Sequence, residues 1–296
     1  MDVGEKAKQI MSYFTEPNMM KLLRFANIAG VVYFWVVSCT ALYVNLFCVL
    51  PVLLADDDFW LRFHWWLFSL AAFNMYLNYF ICLRKNSVYT AAGTRTGEGD
   101  ELTAKGWDHC VPCQQYIPPR AHHCPICKRC ILKRDRHCYF LGVCVGHFNQ
   151  RYFLVFLLYA TIAALHAALS FLAYLNTNLA PFLSAGAYNY LYPIGTAMWI
   201  LGYIPTYLYG TLTLAYICLM LGIGCCGLFY FHFRRALSGQ TSHEYANRIT
   251  TYNRGSQRNL EEVFGRYWWL AFVLPIPLKQ TSDGIVWNKP KEIKGI

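Results

Sequence analysis

The chain has 296 residues, of which 56% are hydrophobic and only 14% charged, against about 25% charged in an ordinary soluble domain, and mean hydropathy is +0.27. Those proportions exclude a disordered chain, a coiled coil and a disulfide-stapled miniprotein. Twenty-six Lys+Arg against sixteen Asp+Glu give a net charge of +10, which suits an anionic lipid surface, a nucleic acid or a phosphorylated cofactor, so the placement of the charges must decide.

In chain order, four runs approach the ~20 residues that ~30 Å of hydrocarbon requires; they fall at roughly 28–50, 63–83, 153–175 and 209–231. The first contains no charged residue and is apolar on all sides, unlike an amphipathic helix of a soluble core. Residues 1–24 carry four Lys/Arg, the segment from Arg84 to Arg151 carries eleven and the tail from Arg234 onward carries ten, with Arg62 the remaining one. By the positive-inside rule both termini and the central segment face the cytosol, while Asp56, Asp57 and Asp58 mark the opposite side. The stretch 188–233 is long enough for two crossings. A fifth span would carry the ten tail charges across the membrane, and Pro193 and Pro205 interrupt it, so a lumenal piece lying along the membrane is expected before the fourth span. No cleavable signal peptide is expected, because the first 24 residues are polar and the apolar run that follows is too long.

Between the second and third spans lies a cytosolic segment of about 68 residues. Its start, 91–106, is small and polar and reads as a linker. Seven of the chain's thirteen cysteines follow, between Cys110 and Cys144. In the reducing cytosol they indicate metal binding rather than disulfides. Tetrahedral zinc takes four thiolate or imidazole ligands, and closely spaced cysteine pairs supply two from one tight turn. Two sites of three cysteines and one histidine use six cysteines and leave one over. Cys138 is the natural odd one: it directly follows His137 and lies beside an acid, whereas the other six fall into pairs. A free thiol held beside two zinc sites at the membrane surface is a candidate nucleophile. The alternative reading is a purely structural zinc module with an incidental cysteine.

The segment from Cys110 to Phe153 resembles the cysteine-rich domain of the DHHC family of protein S-acyltransferases (palmitoyltransferases), through CVPC, PPRAHHCPICKRCILKRD, the Cys138 position and CVGHFNQRYF. Beyond it, Thr241-Ser242-His243-Glu244 resembles the family's Thr-Thr-x-Glu motif, and Asn259 with Val263-Phe264-Gly265 resembles its C-terminal asparagine region. The resemblance implies an all-α membrane protein of four transmembrane helices, with a cytosolic zinc-binding cysteine-rich domain between helices 2 and 3. Its parts would be residues 1–90, with helices 1 and 2; 91–151, linker and double-zinc domain; 152–233, with helices 3 and 4; and 234–296, the cytosolic tail. The family pattern assigns two structural zinc ions, one to Cys110, Cys113, His123 and Cys130, the other to Cys124, Cys127, His137 and Cys144. It further implies that Cys138 takes the acyl group of a fatty acyl-CoA, such as palmitoyl-CoA, and passes it to membrane-proximal cysteines of protein substrates. The expected home is the endoplasmic reticulum or Golgi membrane.

One position departs from the family pattern. Where the motif reads Asp-His-His-Cys, this chain reads Asp135-Arg136-His137-Cys138. In the family the first histidine is the base paired with the aspartate and the second a zinc ligand, so the ligand is kept and the base is lost. Arginine accepts no proton at cytosolic pH. A general base contributes about 10²–10⁴-fold, which leaves two expectations: a slower enzyme, or a membrane adaptor without turnover. A guanidinium near Cys138 would favour the thiolate over a thiol of ordinary pKa ~8.5, although Asp135 is placed to pair with Arg136 and cancel part of that field. His109, His122 and His147 are nearby candidates for a substitute base. Catalysis is thus assigned to Cys138, Asp135 and Arg136. Lys128, Arg129, Lys133 and Arg134 are assigned to the CoA phosphates, with attraction to anionic headgroups as the second reading. Nucleic acid is not expected as a partner of a module tethered between membrane spans. A RING-type ubiquitin ligase is disfavoured by the ligand order. Asn149 and Asn259 are expected to fasten elements together, and Asn45, Asn74 and Asn78 to bridge helices.

Overall fold

A computed structural model describes residues 17–90, 102–103, 106–273 and 280–287; most of the expected linker lies outside them. Helix α1 spans Pro17–Tyr43 and runs on through a π-helical segment, Val44–Val49, into Leu50–Leu53. Helices α2 (Asp58–Arg84), α3 (Gln150–Asn178), α4 (Tyr192–Ile200) and α5 (Thr206–Leu237) follow. Four stretches, Met19–Leu53, Asp58–Arg84, Gln150–Asn178 and Thr206–Leu237, are long and apolar enough to cross a membrane, and each contains one of the expected spans. Helix α4 has nine residues, about 14 Å at 1.5 Å per residue, too short to cross. Pro193 lies in its first turn, where proline is tolerated, and Pro205 precedes α5. The stretch that reads as two spans is therefore one short helix and one long one. The outer faces of the long helices stay apolar: Val36, Phe73, Leu169 and Met220 are all more than half exposed. Water would penalise such a surface and hydrocarbon solvates it, which makes the chain a multi-pass membrane protein.

The chain forms two compact units, one of residues 35–77 and 156–230, the other of residues 1–34, 78–155 and 231–296. In the former, helix segments meet through small residues, with Ala71, Ala163, Ala167, Ala168 and Ala215 buried around Phe68, Phe171 and Leu212. Small side chains let backbones approach where no hydrophobic force drives helices together. The polar members bond to one another: His166 Nε2 lies 3.1 Å from His64 Nδ1, and Asn45 Nδ2 lies 3.5 Å from His166 Nδ1. Asn74 donates to Leu70 O of its own helix.

Among its described residues the other unit carries seven short strands: β1 (Val88–Tyr89), β2 (Asp108–Cys110), β3 (Gln115–Ile117), β4 (His122–Cys124), β5 (Arg129–Ile131), β6 (Arg136–Cys138) and β7 (Val143–Val145). They make three antiparallel sheets, β1-β5-β4, β2-β3 and β6-β7. Helices α6 (Ser242–Ala246) and α7 (Ser256–Phe264) and a 3-10 turn, Trp268–Phe272, come from the tail. Besides cysteines, the buried apolar side chains among the strands are Ile117, Ala121, Ile131, Leu132, Leu141 and Val145. So small a core does not hold strands of three residues unaided; metals are the usual supplement.

A polar lock joins these strands to the tail. Arg120, 6% exposed and at φ 70°, donates through Nε and Nη2 to both carboxylate oxygens of Glu244 at 2.7 and 2.9 Å, and through Nη2 to Gly239 O. Its guanidinium lies 4.4 Å from the ring centroids of both Tyr252 and Trp287, a cation–π sandwich. Glu262 sits 3.6 Å from Arg120 and 2.8 Å from Lys133 Nζ. Two buried cations thus face two buried carboxylates, the arrangement that offsets the desolvation of each. Glu244 also closes the capping box of α6 with Thr241. Asn259 bonds through Nδ2 to Leu237 O and Asn253 Oδ1, and accepts from Arg254 N. Asn149 accepts from Gly146 N and donates to Cys82 O and Cys144 O. Both asparagines fasten backbone to backbone.

Candidate active site

The strand register brings the metal ligands together. Across β4 and β5, His123 faces Cys130; across β6 and β7, His137 faces Cys144. The knuckle turn Val111–Cys113 adds Cys110 and Cys113 to the first pair, and the turn between β4 and β5 adds Cys124 and Cys127 to the second. Each knuckle ends in a residue with left-handed backbone, Gln114 at φ 51° and Lys128 at φ 54°. Such a conformation costs a non-glycine residue about 1–2 kcal/mol and turns two thiols toward one point. The four ligand atoms of each set lie within 4.8 Å of one another. Cys113 Sγ is 3.2 Å from His123 Nδ1, and His137 Nδ1 is 3.3, 3.6 and 3.8 Å from the sulfurs of Cys127, Cys144 and Cys124. A tetrahedral zinc with Zn–S bonds of about 2.3 Å separates its ligands by up to about 3.8 Å, so both sets fit the ion. On its other side, His137 Nε2 is 2.9 Å from Asn27 Oδ1 of α1, the outer-shell hydrogen bond that orients a ligating imidazole.

Cys138 belongs to neither set. It ends β6, where the chain turns through Tyr139, Phe140, Leu141 and Gly142 into β7. Gly142, at φ 73°, supplies the left-handed residue, and its N–H donates to Cys138 O at 2.8 Å. Helices grip this turn from two sides. A Cβ on Gly30 of α1 would come within 2.8 Å of Tyr139 O, and Tyr79 of α2 donates to Phe140 O at 3.2 Å. The thiol is half-buried. Burial pushes it up from its ordinary value; the N–H groups of Leu141 and Phe140 and the charge of Arg136 pull the other way without prevailing. Arg136 thus favours the thiolate in direction, while burial outweighs it.

Asp135 pairs with neither Arg136 nor Cys138. Its Oδ2 lies 2.8 Å from Nδ1 of His232, on α5, and its Oδ1 accepts the Ser242 N–H at 2.6 Å. Burial alone would raise this carboxyl, yet the His232 contact and the Ser242 N–H together hold it below the usual carboxylate range. Arg136 finds no carboxylate among the described residues; its guanidinium lies 6.0 Å from the Phe231 ring centroid. His232 is the residue that sequence reasoning missed. The available signal was an ionisable side chain in the otherwise uncharged run that ends at Phe233, since such residues within spanning helices are rare and functional.

The four basic residues do not stay together. Lys128 and Arg129 are exposed and Arg134 is half-buried, but Lys133, at φ 44°, is turned inward, 3% exposed and bound to Glu262. Lys133 is therefore removed from the set expected at the CoA phosphates: its charge is spent on a buried carboxylate. Of the substitute bases, His109 packs against Tyr116 and His122 against His243. His147 donates to Ser282 O at 3.0 Å. None of the three is the partner of Asp135.

Residues 103–249 match the model of the family described as DHHC palmitoyltransferase. The probable palmitoyltransferase ZDHHC24 of Danio rerio is 34% identical over 192 residues, 63% of this chain and 63% of that one. The palmitoyltransferases ZDHHC22 of Rattus norvegicus and Homo sapiens are 28% and 27% identical over 264 and 263 residues, each match covering 87% of this chain and 95% of the relative. The chain thus spans just under two thirds of the zebrafish relative and nearly all of the two mammalian ones.

Proposed function

We propose, from the match of residues 103–249 to the DHHC palmitoyltransferase family model and the likeness to named palmitoyltransferases, that the chain is a protein S-acyltransferase of that family working by two thioester exchanges at Cys138. In the first, the Cys138 sulfur attacks the acyl carbon of a fatty acyl-CoA; the new S–C bond forms, the bond to the CoA sulfur breaks, and the thiol proton ends on CoA-SH. In the second, a substrate cysteine sulfur attacks the acyl carbon; its S–C bond forms, the Cys138–acyl bond breaks, and the substrate thiol's proton ends on Cys138. The observation that carries this reading is the one thiol of the segment Cys110–Cys144 left outside both four-ligand sets, held at a turn between α1 and α2.

The two ligand sets would hold zinc as a structural ion, since four protein ligands leave no open coordination position. The side chains do the rest. Lys128, Arg129 and Arg134 face the CoA phosphates, and the acyl chain is buried at hydrocarbon depth, where each methylene contributes about 0.8 kcal/mol. Both termini and the cysteine-rich segment lie on the cytosolic side of an endoplasmic reticulum or Golgi membrane, so the acceptors are cytosolic cysteines near the bilayer. Purified protein incubated with labelled palmitoyl-CoA should acquire a hydroxylamine-labile acyl group that disappears in Cys138→Ser while two zinc ions per chain remain. If the unaltered protein stays unlabelled with its zinc in place, the chain is an adaptor of the same fold.

A further inference from the structure

The family's base position is occupied here by Arg136, which accepts no proton at cytosolic pH, yet the aspartate that would orient a base is kept and buried. Its partner shows where the imidazole has gone. His232 Nδ1 lies 2.8 Å from Asp135 Oδ2, with the two side chains 1% and 2% exposed. Both ring nitrogens are buried and neither makes a well-aligned hydrogen bond among the described residues; Nδ1 has the Asp135 carboxylate beside it, whereas no ion pair reaches Nε2. The ring is held edge-on by Phe153, centroids 5.3 Å apart, and by the adjacent Phe231. A carboxylate beside one imidazole nitrogen favours the proton on that side and leaves Nε2 to accept.

The remaining histidines are committed elsewhere. His123 and His137 belong to the metal sets; His64 and His166 bond to each other; His147 donates to Ser282 O; His122 and His243 pack ring on ring; and His109 packs on Tyr116. The charged groups around His232 are Asp135, in direct contact, and Arg136 and Arg235, both lying against Phe231.

We infer that His232, oriented by Asp135, is the proton-accepting residue of the acyl transfer at Cys138, a base delivered from the last membrane-spanning helix in place of the one missing at position 136. As the sulfur–acyl bond forms, the Cys138 proton moves to His232 Nε2, directly or across one water. As the bond to CoA breaks, the leaving sulfur takes that proton, so CoA departs as its thiol and His232 is neutral again. In the second exchange the proton of the substrate cysteine travels to Cys138 by the same route.

This inference rests on the transferase reading, and the test separates the two. Two variants divide the ring's functions. His232→Asn keeps an N–H donor for Asp135 and loses the accepting nitrogen, so a merely structural role predicts little change. A proton-accepting role predicts that labelling of Cys138 by palmitoyl-CoA slows by about 100-fold, within the general-base range, with zinc content unaltered. The unaltered protein should show an acid limb in its pH–rate profile that His232→Asn abolishes. Adding Arg136→His to His232→Asn restores a base at the family's position and should recover at least a tenth of the rate. Labelling rates and pH profiles of His232→Asn that match the unaltered protein would overturn the inference while leaving the transferase reading intact. Absence of any Cys138 adduct in the unaltered protein overturns the transferase reading itself.

Discussion

In the unit of residues 35–77 and 156–230, the buried positions hold alanine, leucine and phenylalanine from helices. In the other unit, the buried positions between strands and tail hold Arg120, Lys133, Glu244 and Glu262 around a few aliphatic side chains and two metal-ligand sets. The difference follows from length. A helix of 27 or more residues satisfies its own backbone and can be held by close packing. Strands of three residues bury little, so their stability must come from ligand bonds and from charges that cannot be left unpaired.

The largest test of that contrast is metal removal. Structural zinc contributes on the order of 10–16 kcal/mol in small zinc-binding peptides, so chelation, or Cys124→Ala, should unfold the cysteine-rich segment and abolish labelling at Cys138. The helices of the other unit should persist. Hydrogen exchange read by segment checks this, and equal loss of protection in residues 156–178 would break the contrast. Next comes the polar lock. Arg120→Met leaves Glu244 without its bidentate partner and Glu262 with Lys133 alone, a change that costs about 3–5 kcal/mol when a buried pair is broken from one side. Thermal unfolding should shift well downward, with the contacts of residues 280–287 lost first. A shift no larger than that of an exposed control, Arg62→Met, would reduce the lock to an ornament of the fold. The smallest effect belongs to the helices. Ala168→Leu overpacks a position with 0% exposure, typically costing about 1–3 kcal/mol, and should lower thermal stability without changing zinc content.

What could be read from sequence was what is local. The metal ligands lie at short, regular intervals, and each pair shares a turn, so counting them leaves Cys138 over before any fold is known. The spanning helices were legible because hydrocarbon imposes a length and the loops carry the charge asymmetry. Arg120 with Glu244, Lys133 with Glu262 and Asp135 with His232 were not legible: the first two join residues 124 and 129 apart, and no periodicity connects such positions. Lys133 was misassigned for the same reason. Among four basic neighbours, composition treats all as surface, whereas one left-handed backbone angle turns this one inward to a tail carboxylate.

The hairpin of β4 and β5 gives His123 and Cys130 to one ligand set and Cys124 and Cys127 to the other. The two sets therefore share a single scaffold, and losing the ion from either slackens half the donors of its neighbour. Loading should be all-or-none, with chains carrying two ions or none and few carrying one. A cell short of zinc would then hold fewer finished copies of this protein rather than a full complement of weakened ones.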